Sequence, residues 1–181
     1  MKHIALIGGR AVGKSTVSKH LRKLIDLPVL SIDKLAAKGA GMKITQFVEE
    51  HSWSIFRDLE YRILQEVCQK APCIIDCGGG IVCEQDENNK QSFSERKAKL
   101  LKDHCLVFWL TTPQKNQQKY MHKRPSLSGK RSSADELNEV MALRYPWYQK
   151  LVDHQVSTGK LGYKRAATKI AEIIQTTLPS T

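Results

Sequence analysis

Gly8-Gly9-Arg10-Ala11-Val12-Gly13-Lys14-Ser15-Thr16 satisfies the pattern G-x-x-x-x-G-K-[ST] at every fixed position. The apolar run His3-Ile4-Ala5-Leu6-Ile7 precedes it at strand length, and Val17, His20, Leu21 and Leu24 follow it at helical spacing. The chemistry needs that strand–loop–helix order. Glycines let successive N–H groups turn inward around phosphate oxygens, and the helix amino terminus adds its partial positive charge. Residues Gly8 through Thr16 are therefore expected to wrap a nucleoside triphosphate. Lys14 would reach the outer phosphates, and the Ser15 hydroxyl would ligate Mg²⁺. A glycine-rich turn without a ligand is the alternative, and the complete motif between correct flanking elements disfavours it.

A chain of 181 residues suits one domain, 1–181, with a sizeable core. Hydrophobic content of 41% and charged content of 26% are ordinary for globular chains and exclude wholesale disorder. No apolar stretch approaches the roughly 20 residues that span a bilayer. Met1-Lys2-His3 leads straight into the first strand, so no signal peptide is expected and the cytoplasm is the expected compartment. A monomer is expected. Cys68, Cys73, Cys77, Cys83 and Cys105 form no C-x-x-C pair, and reduced, buried thiols are expected rather than a zinc site. The net charge of +11 suits either nucleic acid or a polyanionic small molecule. The lysines are dispersed, without a basic tail, and the loop already supplies an anion partner, so the small molecule is favoured.

Along the chain, the first helix should end near Leu24 to Asp26, because Pro28 prevents its continuation. Val29 to Asp33 reads as a second strand. Asp33 would then point to the rim where open parallel sheets bind ligands, with a solvated helix cap as the equal alternative. Helical spacing recurs at Ile44, Phe47 and Val48, and again from Ile55 to Val67. In the second of these helices Arg57 and Glu60 share a face, and an ion pair on the surface is the default expectation. Cys73-Ile74-Ile75-Asp76 is a compact strand leading into Gly78-Gly79-Gly80, a loop a ligand can approach closely. Asp76 suits either a metal-site carboxylate or a cap on its own turn.

Glu84 to Glu95 reads as a mobile polar loop, Lys97 to Lys102 as a helix and Cys105 to Leu110 as a strand. Gln114 to Lys123 reads as an exposed helix. The basic, breaker-rich stretch around 124–134 suits either a lid or a plain connection. Asp135 to Tyr145 reads as a helix that Pro146 breaks, Gln155 to Ser157 as a last strand, and Ala166 to Ile174 as a closing helix. Strand and helix alternate throughout. The fold expected is α/β, a five-stranded parallel sheet flanked by helices on both faces.

Over nearly its whole length the chain resembles the shikimate kinase family. Beyond the phosphate loop, four features occur in that family's order: Asp33 ending the second strand, Phe56-Arg57-Asp58-Leu59-Glu60, Gly78-Gly79-Gly80, and Arg124-Pro125 followed by Arg144-Tyr145-Pro146-Trp147-Tyr148. The resemblance implies transfer of the ATP γ-phosphoryl group to the 3-hydroxyl of shikimate. It makes Arg57 and Arg144 the carboxylate-binding arginines, with Glu60 holding Arg57. Asp33 becomes the ring-hydroxyl ligand and orienter or base, and Gly79 and Gly80 become backbone contacts to the ring. Lys14 and Arg124 become the groups steadying charge between the β- and γ-phosphates, Arg124 also contacting the nucleotide. The acceptor-binding helical region would span about 33–62.

Four departures from the family pattern stand out. Ser31 replaces an Asp that helps hold the Mg²⁺ water shell, and Asp76 is placed to take over part of that role. Ser52-Trp53 replaces a Gly-Glu pair, Ser126 alters the lid motif, and the segment from Glu84 to Phe93 is several residues long for the family. A gluconate kinase would share the loop and also need cationic groups. A degenerate nucleotide-binding regulatory domain is disfavoured because Lys14 and Ser15 are both present.

Overall fold

The structure is a computed structural model and describes residues 1–121 and 134–177. Strand β1 (His3–Ile7) is buried along its whole length, as a strand covered on both faces must be. It pairs in parallel with β3 (Ile74–Asp76) on one side and β6 (Cys105–Thr111) on the other. Strands β2 (Val29–Ser31) and β7 (His154–Ser157) complete the sheet, in the order β2-β3-β1-β6-β7. All four pairings are parallel, so all five strands end at one rim.

Alternate side chains of β1 divide the interior into two layers. Ile4 and Leu6 pack with Val17 and Leu21 of α1 (Lys14–Ile25) and with Ile170 and Ile174 of α9 (Tyr163–Thr177). Ala5 and Ile7 pack with Phe56, Ile63 and Leu64 of α4 (Trp53–Cys68), Leu101 of α5 (Glu95–His104), and Tyr148 and Leu151 of α7 (Ala134–Leu151). Helices α2 (Ile32–Ala40) and α3 (Ile44–His51) pack beside α4, while α8 (Thr158–Leu161) links β7 to α9. Helix α6 (Gln114–Met121) follows β6, and the stretch 124–134 expected as a lid lies outside the described residues, apart from Ala134 at the start of α7. The five cysteines are all free and buried.

Three local expectations differ from the structure. β2 ends at Ser31 rather than Asp33, because Ile32 and Asp33 already form the first turn of α2. Residues 84–95 are not a loop: β4 (Cys83–Gln85) and β5 (Gln91–Phe93) form an antiparallel hairpin leading into α5. Its turn is closed by Asp86, whose Oδ1 accepts from Asn88 N at 2.9 Å and Lys90 N at 2.8 Å. Arg96 clamps the hairpin through Glu84 Oε2 at 2.7 Å while also donating to Asp58 Oδ1 of α4 at 2.6 Å.

Pro146 does not break α7, which runs on to Leu151. A proline forfeits one helical hydrogen bond, but packing on both sides of it holds the helix. Tyr145 meets Trp109 edge-on at 4.7 Å, and Tyr148 stacks on the same indole at 5.8 Å.

Candidate active site

The phosphate loop leaves β1 through a left-handed turn, with φ of 139° at Gly8, 60° at Ala11 and 94° at Gly13. Helix α1 begins at Lys14 with no side chain capping its amino terminus. Its first N–H groups and dipole therefore suit an anion. Lys14 Nζ folds back over the loop, donating to Gly8 O at 2.8 Å and Gly9 O at 2.9 Å.

Among the described residues, two of the cavities at this rim hold the expected site residues. One, about 820 Å³, has Ser15, Ser31 and Asp76 in its wall together with Lys19, Arg22 and Lys34. The other, about 430 Å³, is lined by Arg10, Asp33, Arg57, Glu60, Gly79, Gly80 and Arg144, with Trp53 and Phe56 as its apolar side. The structure thus brings Asp33, Arg57, Gly79, Gly80 and Arg144 together and places Ser15 and Asp76 in the neighbouring cavity. Arg10 reaches from the phosphate loop into the second cavity. Arg124 lies outside the described residues.

Arg57 and Glu60 are not the surface ion pair their spacing suggests. They are 3% and 0% exposed, and Arg57 Nη1 donates to Glu60 Oε2 at 2.9 Å. The guanidinium lies 5.1 Å from the centre of the Trp53 ring, in cation–π range. Glu60 Oε2 also accepts from Lys97 Nζ at 2.9 Å, and Lys97 is itself fully buried. Burial pushes the Glu60 carboxyl up, but Lys97 and then Arg57 outweigh it and hold it below the usual range. Burial acts to lower the Arg57 pKa, and Glu60 reverses it to a net rise.

Three functional side chains lie against the first and third of the three glycines. A Cβ on Gly78 would come within 2.5 Å of Asp33 Oδ1 and 2.9 Å of Glu60 Oε1. On Gly80 it would lie 2.6 Å from Arg57 Cζ. A side chain at either position would force these groups to shift. Between them, Gly79 O accepts from Arg144 Nη1 at 3.0 Å and from Tyr148 Oη at 2.6 Å. Arg144 Nε donates to Gln91 Oε1 of the hairpin at 2.9 Å.

Asp33 stands at the mouth of the cavity. Solvent reaches it, yet cavity walls surround its carboxyl, and its pKa is raised, first by burial and then by the Glu60 charge. Lys14 opposes both. Lys97 and Gln91 carry no sequence signal for these positions, whereas Tyr148 closes the segment Arg144-Tyr145-Pro146-Trp147-Tyr148 that the resemblance rests on. Lys97 is one of several basic residues on a charged helix, and Gln91 sits in a stretch that reads as loop.

A phosphate loop at the carboxyl rim of a five-stranded parallel sheet, facing a small cavity lined by three arginines and two carboxylates, defines a phosphate-loop kinase acting on a small molecule. The shikimate kinase family model matches residues 10–175. A shikimate kinase of Leptospira biflexa is 35% identical, covering 96% of each chain, and one of Dehalococcoides mccartyi is 30% identical, over 97% of this chain and 93% of that one. Among solved structures, a shikimate kinase from Acinetobacter baumannii in complex with shikimate shares the fold, with a TM-score of 0.86, 23% identity and coverage of 99% of this chain and 96% of that one. The chain belongs to the shikimate kinase family and is an ATP-dependent phosphotransferase.

Proposed function

We propose that this chain transfers the γ-phosphoryl group of ATP to the 3-hydroxyl of shikimate through the residues just described. The observation that carries the residue roles is the convergence of Arg57, Arg144 and Asp33 on one 430 Å³ cavity beside the phosphate loop. Paired guanidinium groups suit a carboxylate, and a carboxylate among them suits hydroxyls. Arg57 and Arg144 bind the shikimate carboxylate, with the triple glycine against the ring. The helical segment 33–62 forms most of the acceptor side.

Asp33 orients the 3-hydroxyl and accepts its proton as the oxygen attacks the γ-phosphorus. Its raised pKa suits that role. The bond from the γ-phosphorus to the bridging oxygen breaks, and ADP departs. Lys14, together with Arg124, stabilises charge gathering on the β–γ bridge, so positioning and electrostatics supply the catalysis.

Mg²⁺ fits the 820 Å³ cavity by its donor chemistry. Among the described residues no three His, Cys, Asp or Glu side chains cluster as a metal cage. Mg²⁺ needs none, taking one or two protein oxygens beside phosphate oxygens and water: Ser15 would supply such an oxygen and the buried Asp76 would support the water shell. Bound there, it would neutralise phosphate charge. The reading extends to a cytoplasmic monomer working on freely diffusing substrates.

The test is ADP release, coupled to an optical readout, with shikimate, gluconate or no acceptor at varied Mg²⁺. Release that requires shikimate is the expected result. Release driven by gluconate and indifferent to shikimate overturns the reading.

A further inference from the structure

Lys97 lies outside the acceptor cavity, on α5, and is fully buried. Burying a lysine is costly unless it is paired and hydrogen-bonded. Its ammonium donates to Glu60 Oε2 at 2.9 Å and to the carbonyl of Cys83 at 2.7 Å. Glu84 stands further off, 4.0 Å away, and is engaged by Arg96 and by Ser94. Glu60 is therefore shared: the same Oε2 atom receives Arg57 from the cavity side and Lys97 from behind.

The charge count decides what this arrangement does. Arg57 and Glu60 alone would form a closed, neutral pair, and a neutral pair holds little attraction for an incoming anion. Asp33, the other acidic group in the cavity wall, offsets a further positive charge, leaving Arg10 and Arg144 to set against it. With Lys97 in place the buried triad of Arg57, Glu60 and Lys97 carries one net positive charge, and the cavity wall exposes its Arg57 end. In a poorly solvated site, one unit of charge outweighs most other contributions to binding an anion.

We propose that Lys97 is a positioning residue for the acidic acceptor, neutralising Glu60 from behind so that Arg57 is held in place yet keeps its positive charge for the substrate carboxylate. This rests on Arg57 being a carboxylate ligand. Lys97 touches neither substrate nor nucleotide. It acts only through Glu60.

The test is steady-state kinetics with shikimate varied at saturating Mg-ATP, and with ATP varied at saturating shikimate. Four proteins are compared: the unaltered enzyme, Arg57→Lys, Lys97→Met, and the double variant Lys97→Met with Glu60→Gln. Arg57→Lys should raise the shikimate KM, since a bidentate fork is lost. Lys97→Met should raise it about tenfold, the scale of one charge-assisted contact, leaving the ATP KM unchanged and kcat little affected. The double variant removes the carboxylate charge while Gln still accepts from Arg57, so its shikimate KM should return close to the starting value.

A normal shikimate KM in Lys97→Met beside a raised one in Arg57→Lys overturns the role of Lys97 alone. A normal value in Arg57→Lys overturns the carboxylate reading and the proposal with it. Lys97→Met can fail to fold, because it leaves Glu60 with one partner. The double variant then decides: a near-normal shikimate KM supports the proposal and a tenfold rise overturns it. A merely structural lysine would not be rescued by Glu60→Gln.

Discussion

Ser31 and Asp76 stand in register on adjacent parallel strands, β2 and β3, and both enter the wall of the cavity that holds Ser15. Asp76 is also in register with Leu6 of β1, one strand from the phosphate loop's own root. A carboxylate at position 31 and one at position 76 would thus address the same space from neighbouring strands. This arrangement gives physical content to a shift of metal support from position 31 to position 76.

Asp76→Ala should raise the Mg²⁺ concentration needed for half-maximal activity about tenfold or more, the usual consequence of removing an outer support of a bound metal. Ser31→Asp in the same protein should recover most of that loss. A titration of activity against free Mg²⁺ reads both, and unchanged Mg²⁺ dependence in Asp76→Ala would sink the assignment.

Gly80→Ala places a methyl group where the Arg57 guanidinium lies. The backbone accepts alanine there, because Gly80 is not among the positive-φ positions. The conflict falls on the side chain, which Glu60 and Trp53 prevent from moving freely. The shikimate KM should rise about tenfold or more, on the scale of a lost charge-assisted contact, with the ATP KM unchanged. Kinetics with each substrate varied in turn separates the two.

Asp33→Asn should abolish most activity and yet stabilise the fold at neutral pH. The Asp33 pKa is raised above its usual 3.8, so the folded state holds that proton more tightly than the unfolded chain does. Ionising it therefore costs stability as pH rises through and beyond 3.8, and the cost vanishes below that value. The gain in Tm should amount to a few degrees at most, because solvent reaches the carboxyl and screens it. Melting curves at pH 7 and pH 3.5 decide the matter: an equal gain at both would show that the charge is not the cause.

Ser52→Gly should also stabilise. Ser52 adopts φ of 114° just before α4, a conformation that suits glycine, and the family pattern has glycine there. Relieving that strain should be worth about 1 kcal/mol or more, less the weak cap that Ser52 Oγ gives Ile55 N at 3.4 Å. For a chain of this size the net gain would show as a Tm rise of roughly 2–4 °C per kcal/mol.

Local pattern reaches a long way in this chain. The phosphate loop, the alternation of five parallel strands with helices and the i,i+3 pairing of Arg57 with Glu60 all follow from spacing and residue type. The failures share one cause, which is that contacts distant in sequence overrode local preference. Pro146 ends helices in general, but Trp109 grips the residues on both sides of it. Residues 84–93 are too polar and too briefly alternating to announce strands, yet Arg96 and Asp86 tie them into a hairpin. Arg57 and Glu60 have the spacing of a surface pair, and only the arrival of α5 and the triple glycine buries them.

The nucleotide half of the site is written in consecutive residues. A phosphate loop works through backbone N–H groups, and local glycines, a lysine and a hydroxyl suffice to define it. The acceptor half is different, because its chemistry is a balance of charges drawn from four separate elements. Asp33 comes from α2, Arg57 and Glu60 from α4, Lys97 from α5 and Arg144 from α7. Which of the chain's 29 lysines and arginines would be buried against Glu60 was not a property of any stretch of sequence. Electrostatic energy depends on distance and dielectric, and both exist only once the helices have packed.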